Sequence, residues 1–90
     1  MTETREARLG RLNMRSMRRG MREMDLILIA FAARELALMT PPDLDAYESL
    51  LAEPDPDILA WITGTAPTPP HHEPLVARIR DGATGLGQAG

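Results

Sequence analysis

Ninety residues allow one domain with a thin core, and the absence of cysteine excludes a disulfide framework, a thiolate metal site and a cysteine nucleophile together. One Phe, one Trp and one Tyr make a poor stacking platform for single-stranded nucleic acid, and the longest apolar run, residues 26–33, is far short of a membrane helix. The formal charge of −3 hides an asymmetry: residues 1–24 carry seven arginines against three glutamates, residues 25–90 three arginines against ten acids, and there is no lysine.

The pattern reads as helical nearly throughout. Residues 3–17 are good helix formers interrupted only by Gly10 and predict a first helix. Arg5, Arg8, Arg11, Arg15, Arg18 and Arg22 recur at spacings of three and four, which helical periodicity gathers on one face. Gly20 marks a break, where a turn or a close contact costs least. Residues 21–39 predict a second helix, the longest, with Met21, Met24, Leu28, Phe31 and Ala32 as its stripe and Ile27 widening it. Residues 26–33 are apolar on almost every side, so this helix is expected at the centre of a bundle. Glu35 interrupts the stripe near its end.

Thr40-Pro41-Pro42-Asp43 is a helix start, with a hydroxyl cap, Pro at the first helical position and an acid in the first turn. The helix it opens carries Leu44, Tyr47, Leu50 and Leu51 and ends before Pro54. Asp55-Pro56-Asp57 repeats that chemistry for a short helix with Ile58, Leu59, Trp61 and Ile62, stopped by Gly64. Residues 65–70 hold three prolines and read as a loop. Glu73-Pro74 opens a last helix with Leu75, Val76 and Ile79 on its apolar side. The expectation is an all-α protein, a compact bundle of five short helices over residues 1–81. Residues 82–90, rich in glycine, are expected as a disordered tail.

No catalytic constellation emerges. His71 and His72 are adjacent in a proline-rich loop, but a metal site needs further ligands and only Glu73 is near in sequence. Ser16 and Ser49 lie on no nucleophile-elbow pattern, and Gly82, Gly85 and Gly87 lack the strand a dinucleotide loop requires. Glu53, Asp55 and Asp57 are read as acids stabilised by a helix N-terminus rather than as a cation site. The arginine face is either solvated or docks on an anionic surface. Nucleic acid is the weaker partner, because the acidic remainder of the chain would repel it.

The most informative stretch surrounds Gly20. Arg19 and Glu23 stand four apart, the spacing of an intrahelical ion pair. That pair explains neither the glycine nor the neighbouring charges. A glycine flanked by Arg19, Glu23 and Asp25 offers a flat place for a partner's backbone, ringed by hydrogen-bonding groups.

Arg15-Ser16, followed by Arg18-Arg19-Gly20-Met21-x-Glu23-x-Asp25, resembles the RGxxE signature of the FAD assembly factor family, the flavinylation factors of succinate dehydrogenase. Asp55-Pro56-Asp57-Ile58-Leu59-x-Trp61-Ile62 resembles that family's DPDLxxW segment, and the likeness runs from about residue 12 to residue 79. Met14 stands where members often carry an aromatic. The resemblance implies a small five-helix protein, not an enzyme, that acts as an assembly chaperone. It would bind the flavoprotein subunit of succinate dehydrogenase, and of fumarate reductase, and promote covalent FAD attachment there. It would hold no FAD stably itself. Carried over by motif, Arg19, Gly20 and Glu23 are the partner-binding residues, with Arg15 and Asp25 beside them; no catalytic, cofactor or metal residue is expected. An antitoxin-type interaction protein and an arginine-rich nucleic-acid-binding helical domain are the alternatives. With no secretory signal and no membrane segment, a cytoplasmic location is expected.

Overall fold

A computed structural model describes the backbone of residues 3–87 and the side chains of residues 3–82. Five α-helices follow in order: α1 (Arg5–Arg15), α2 (Arg22–Glu35), α3 (Pro41–Leu51), α4 (Asp55–Thr63) and α5 (Glu73–Gly87). A 3-10 turn, Leu36–Leu38, closes α2, and there is no strand among the described residues. The five-helix, all-α expectation holds.

The local starts and stops follow side-chain chemistry. Thr4 caps α1, its hydroxyl accepting from the Ala7 N–H at 3.1 Å. Thr40 and Asp43 form a reciprocal capping box at α3, with Pro41 opening the helix. At α4 the chemistry differs from that predicted by analogy: Pro54 is the cap, Asp55 is already helical, and no side chain caps the turn. Gly64 ends α4 in the left-handed conformation, φ +80°, and the Thr65 N–H returns to the Ala60 carbonyl at 2.9 Å.

The core is one cluster to which every helix contributes. Leu12 comes from α1; Met24, Leu28, Phe31 and Ala32 from α2; Leu44, Tyr47, Leu50 and Leu51 from α3; Ile58, Trp61 and Ile62 from α4; Leu75, Val76 and Ile79 from α5. Each fully buried large side chain is worth about 1.5–3 kcal/mol, which is why the helical stripes decide the packing. Inside the core the Tyr47 hydroxyl meets the Ser16 hydroxyl at 2.5 Å, and Ser16 also donates to the Leu12 carbonyl at 2.8 Å.

Three boundaries depart from the sequence reading. Helix α1 stops at Arg15 with Ser16 as its cap, and the link that follows contains left-handed Arg18 (φ +52°) and Gly20 (φ +98°). Helix α2 stops at Glu35, and the chain tightens into the 3-10 turn, whose three-residue period carries both Leu36 and Met39 into the core. Glu35 itself faces α5 and receives Arg78 at 2.6–2.7 Å. Helix α5 continues past Asp81 to Gly87, into the segment expected as a tail, and at 15 residues exceeds the 14 of α2. Residues 88–90 lie outside those described. Helix α2 packs on α1, α4 and α5 but is not wrapped on all sides: Leu26 is 61% exposed and Ile29 also faces outward.

Candidate partner-docking site

The arginine face predicted for the first helix is largely consumed within the molecule. Arg5 donates to the Ala37 and Met39 carbonyls, at 3.1 and 2.7 Å, closing the end of the 3-10 turn. Arg8 pairs with Asp45 at 2.6 Å and Glu48 at 3.2 Å; Arg11 pairs with Glu3 at 2.9 Å and Glu48 at 3.0 Å. For Arg8 and Arg11 the anionic surface is thus chiefly the acidic side of α3, Asp45 and Glu48. The same contacts hold the Glu48 carboxyl below its ordinary pKa, the Arg11 hydrogen bond contributing most, and that of Glu3 likewise. Because α1 ends at Arg15, Arg18 and Arg22 leave the face altogether, and a six-arginine stripe does not form.

Arg19 sits at the junction of the two sequence motifs. Its side chain is only 13% exposed and that of Asp55 12%. The guanidinium reaches Asp55 through Nε at 2.9 Å and through Nη2 at 2.8 Å. It also donates to the Leu51 carbonyl at 2.9 Å and to the Arg15 carbonyl at 3.1 Å. The backbone N–H of Arg19 donates to Asp25 Oδ1 at 2.6 Å. One residue therefore ties the α1–α2 link to the end of α3, the start of α4 and the first turn of α2.

This arrangement corrects the ion pair expected from spacing. Arg19 lies before α2, outside the helical register that would bring it beside Glu23, and its fork is taken by Asp55, 36 residues away. Glu23 stays exposed on the first turn of α2, without a hydrogen bond or ion pair to the described residues. Gly20 is exposed, and a Cβ placed on it would meet nothing within 4 Å. Its need for glycine comes from the backbone: φ +98° is a conformation side-chain-bearing residues rarely adopt. Asp25 is spent on holding the link, while Arg15 is half-buried with its guanidinium unpaired among the described residues.

The resulting surface has a flat, side-chain-free point at Gly20, and the Glu23 carboxylate and the Arg18 and Arg22 guanidiniums are unpaired among the described residues. Beside it lies an open cleft of about 430 Å³ lined by Arg15, Met17, Arg18, Arg19, Glu53, Pro54 and Asp55. Charged groups without internal partners around an approachable backbone suit them to a partner's polar main chain and side chains. Sequence reasoning missed Asp55 as the anchor of Arg19. The carboxylate cluster at 53–57 was visible, but nothing local linked it to residue 19.

Comparison with known proteins agrees with the motif reading. The chain is 41% identical over 68 residues to the mitochondrial succinate dehydrogenase assembly factor 2 of Mycosarcoma maydis, covering 76% of this chain and 29% of that one. It is 46% identical over 61 residues to the protein of the same name from Meyerozyma guilliermondii, covering 68% and 45%. It is 42% identical over 57 residues to the FAD assembly factor SdhE of Legionella pneumophila, covering 63% and 65%. The chain spans about half the length of the curated relatives it matches. These are names of assembly factors rather than of enzymes, in keeping with the expectation from the motifs. Both motifs, and the Arg19–Asp55 pair that joins them, fall within the family match over residues 10–83, and the chain belongs to the family described as flavinator of succinate dehydrogenase.

Proposed function

We propose that this protein binds the flavoprotein subunit of succinate dehydrogenase through the Gly20–Glu23 surface and promotes covalent attachment of FAD to that subunit. The observation carrying the reading is the division of labour within the motif: Arg19 and Asp25 are consumed in shaping the link, while Gly20 and Glu23 are exposed and, among the described residues, unpartnered. Such a surface is built for contact rather than for the fold. The chain supplies no nucleophile or acid–base pair of its own in this reading; it steadies the partner while the chemistry proceeds there, and FAD is the partner's cargo. Fumarate reductase is a second client of the same surface, and the compartment is that of the client, taken as the cytoplasm.

The test is covalent flavin on the client subunit, read by in-gel fluorescence after denaturation, in a host lacking this protein. Complementation with the wild type restores the fluorescent band; Gly20→Arg, which plants a long side chain on the flat point, and Glu23→Ala do not. Restoration by both variants at wild-type level refutes the docking surface, and no restoration by the wild type refutes the client. The nucleic-acid alternative loses its main support, since Arg5, Arg8 and Arg11 are already engaged within the chain.

A further inference from the structure

We propose that Glu53, His71 and His72 form a binding site for a zinc-class divalent ion, which adjoins the cleft beside Gly20 through Glu53 and does not use Gly20 or Glu23. The sequence placed two imidazoles side by side but offered only Glu73 as a third ligand. The fold supplies a different one: Glu53, in the link between α3 and α4, meets the residues that lead into α5. One ligand atom from each of the three groups lies within 4.8 Å of the others. His72 Nε2 and Glu53 Oε2 are 2.9 Å apart.

Zinc holds nitrogen and carboxylate oxygen at about 2.0–2.2 Å in tetrahedral geometry, so its ligand atoms stand roughly 3.3 Å apart. The His72–Glu53 edge needs to open by only a few tenths of an ångström to meet that value. The longer edges, which involve His71, close by rotation of that exposed ring. His72 is the rigid member: it is 2% exposed and stacked on Trp61, ring centroids 5.5 Å apart and planes at 30°. The ion takes the place of the proton shared by His72 and Glu53, and water completes the coordination on the open side.

A simple hydrogen bond between His72 and Glu53 accounts for their contact but not for His71. The two imidazole centroids are 4.0 Å apart at a tilt of 44°, and a nitrogen of each ring lies within 4.8 Å of the one carboxylate. Two imidazoles and one carboxylate form a mixed nitrogen–oxygen donor set that suits zinc and its neighbours in the transition series, not magnesium or calcium.

The experiment titrates zinc chloride into the chelator-treated full chain, followed by calorimetry and by the emission of Trp61. The expected result is one saturable equivalent of zinc with a dissociation constant on the order of micromolar, a change in Trp61 emission, and no response to magnesium. His71→Ala, an exposed substitution, leaves the zinc-free melting temperature unchanged and weakens zinc binding by about tenfold or more. Glu53→Gln, which keeps a hydrogen-bonding oxygen beside His72, weakens it similarly. Absence of saturation up to about 1 mM zinc, or wild-type affinity in His71→Ala, overturns the site.

Discussion

Replacing Arg19 by alanine separates a residue that builds the surface from one that touches a partner. In the fold Arg19 and Asp55 are nearly enclosed, at 13% and 12% exposure, and Arg19 makes further bonds to the Leu51 and Arg15 carbonyls. Removing the guanidinium leaves the Asp55 carboxylate sequestered without its counter-charge, a change that costs about 3 kcal/mol in comparable pairs. A domain of this length has a total stability of roughly 5–13 kcal/mol, so the variant forfeits a quarter or more of it. The melting temperature should fall by about 12 °C or more, and the urea midpoint by about 3 M at a slope near 1 kcal/mol/M. Urea unfolding followed by far-UV circular dichroism measures this directly. The companion variant Asp55→Ala should also destabilise, while the double variant should cost clearly less than the two added together, because no orphaned charge remains. Glu23→Ala, with no internal partner to lose, should shift stability by less than about 1 kcal/mol. Additive costs for Arg19 and Asp55, or an Arg19→Ala variant as stable as Glu23→Ala, would refute the assignment of Arg19 as the internal anchor.

Four further outcomes are expected. Gly20→Ala should lower stability by about 1–3 kcal/mol despite the empty space around it, since φ +98° strains any Cβ; an unchanged urea midpoint would contradict this. Ser16→Ala removes the partner of the buried Tyr47 hydroxyl and should cost about 1–3 kcal/mol, with Tyr47→Phe in the same background recovering part of the loss. Burial raises the Tyr47 pKa above its usual 10.0, so the folded state favours the neutral phenol. Its contribution to stability is complete below pH 10 and declines as pH rises past that value, which ultraviolet titration beside thermal melts will show. The lowered carboxyls of Glu48 and Glu35 act in the opposite sense: their contribution is complete above the usual 4.5 and is lost as pH falls below it. Glu48→Gln should flatten that acid limb, and salt should weaken it for the wild type.

What could be read from the sequence were features set by neighbours three or four residues away. The Thr40 cap with Asp43 in the first turn, the Gly64 stop, and the stripes Leu44-Tyr47-Leu50-Leu51 and Leu75-Val76-Ile79 are all local chemistry, and each appears in the fold where its spacing placed it. The RGxxE and DPDLxxW segments were legible in the same way, as strings. What spacing could not decide was which charge finds which. Periodicity put six arginines on one helix and set Arg19 against Glu23. A hydroxyl buried against Tyr47 and two left-handed residues end that helix early and move Arg19 out of register. Once the helices pack, Arg8 and Arg11 meet Glu48, Arg19 meets Asp55, and Glu53 meets His72. Each of these pairings joins residues at least 19 positions apart. A charge has no directional code along the chain, and its partner is chosen by whichever opposite charge the apolar core carries within reach. The helices therefore belong to the sequence, and the division of the motif into anchors and free contacts belongs to the tertiary structure.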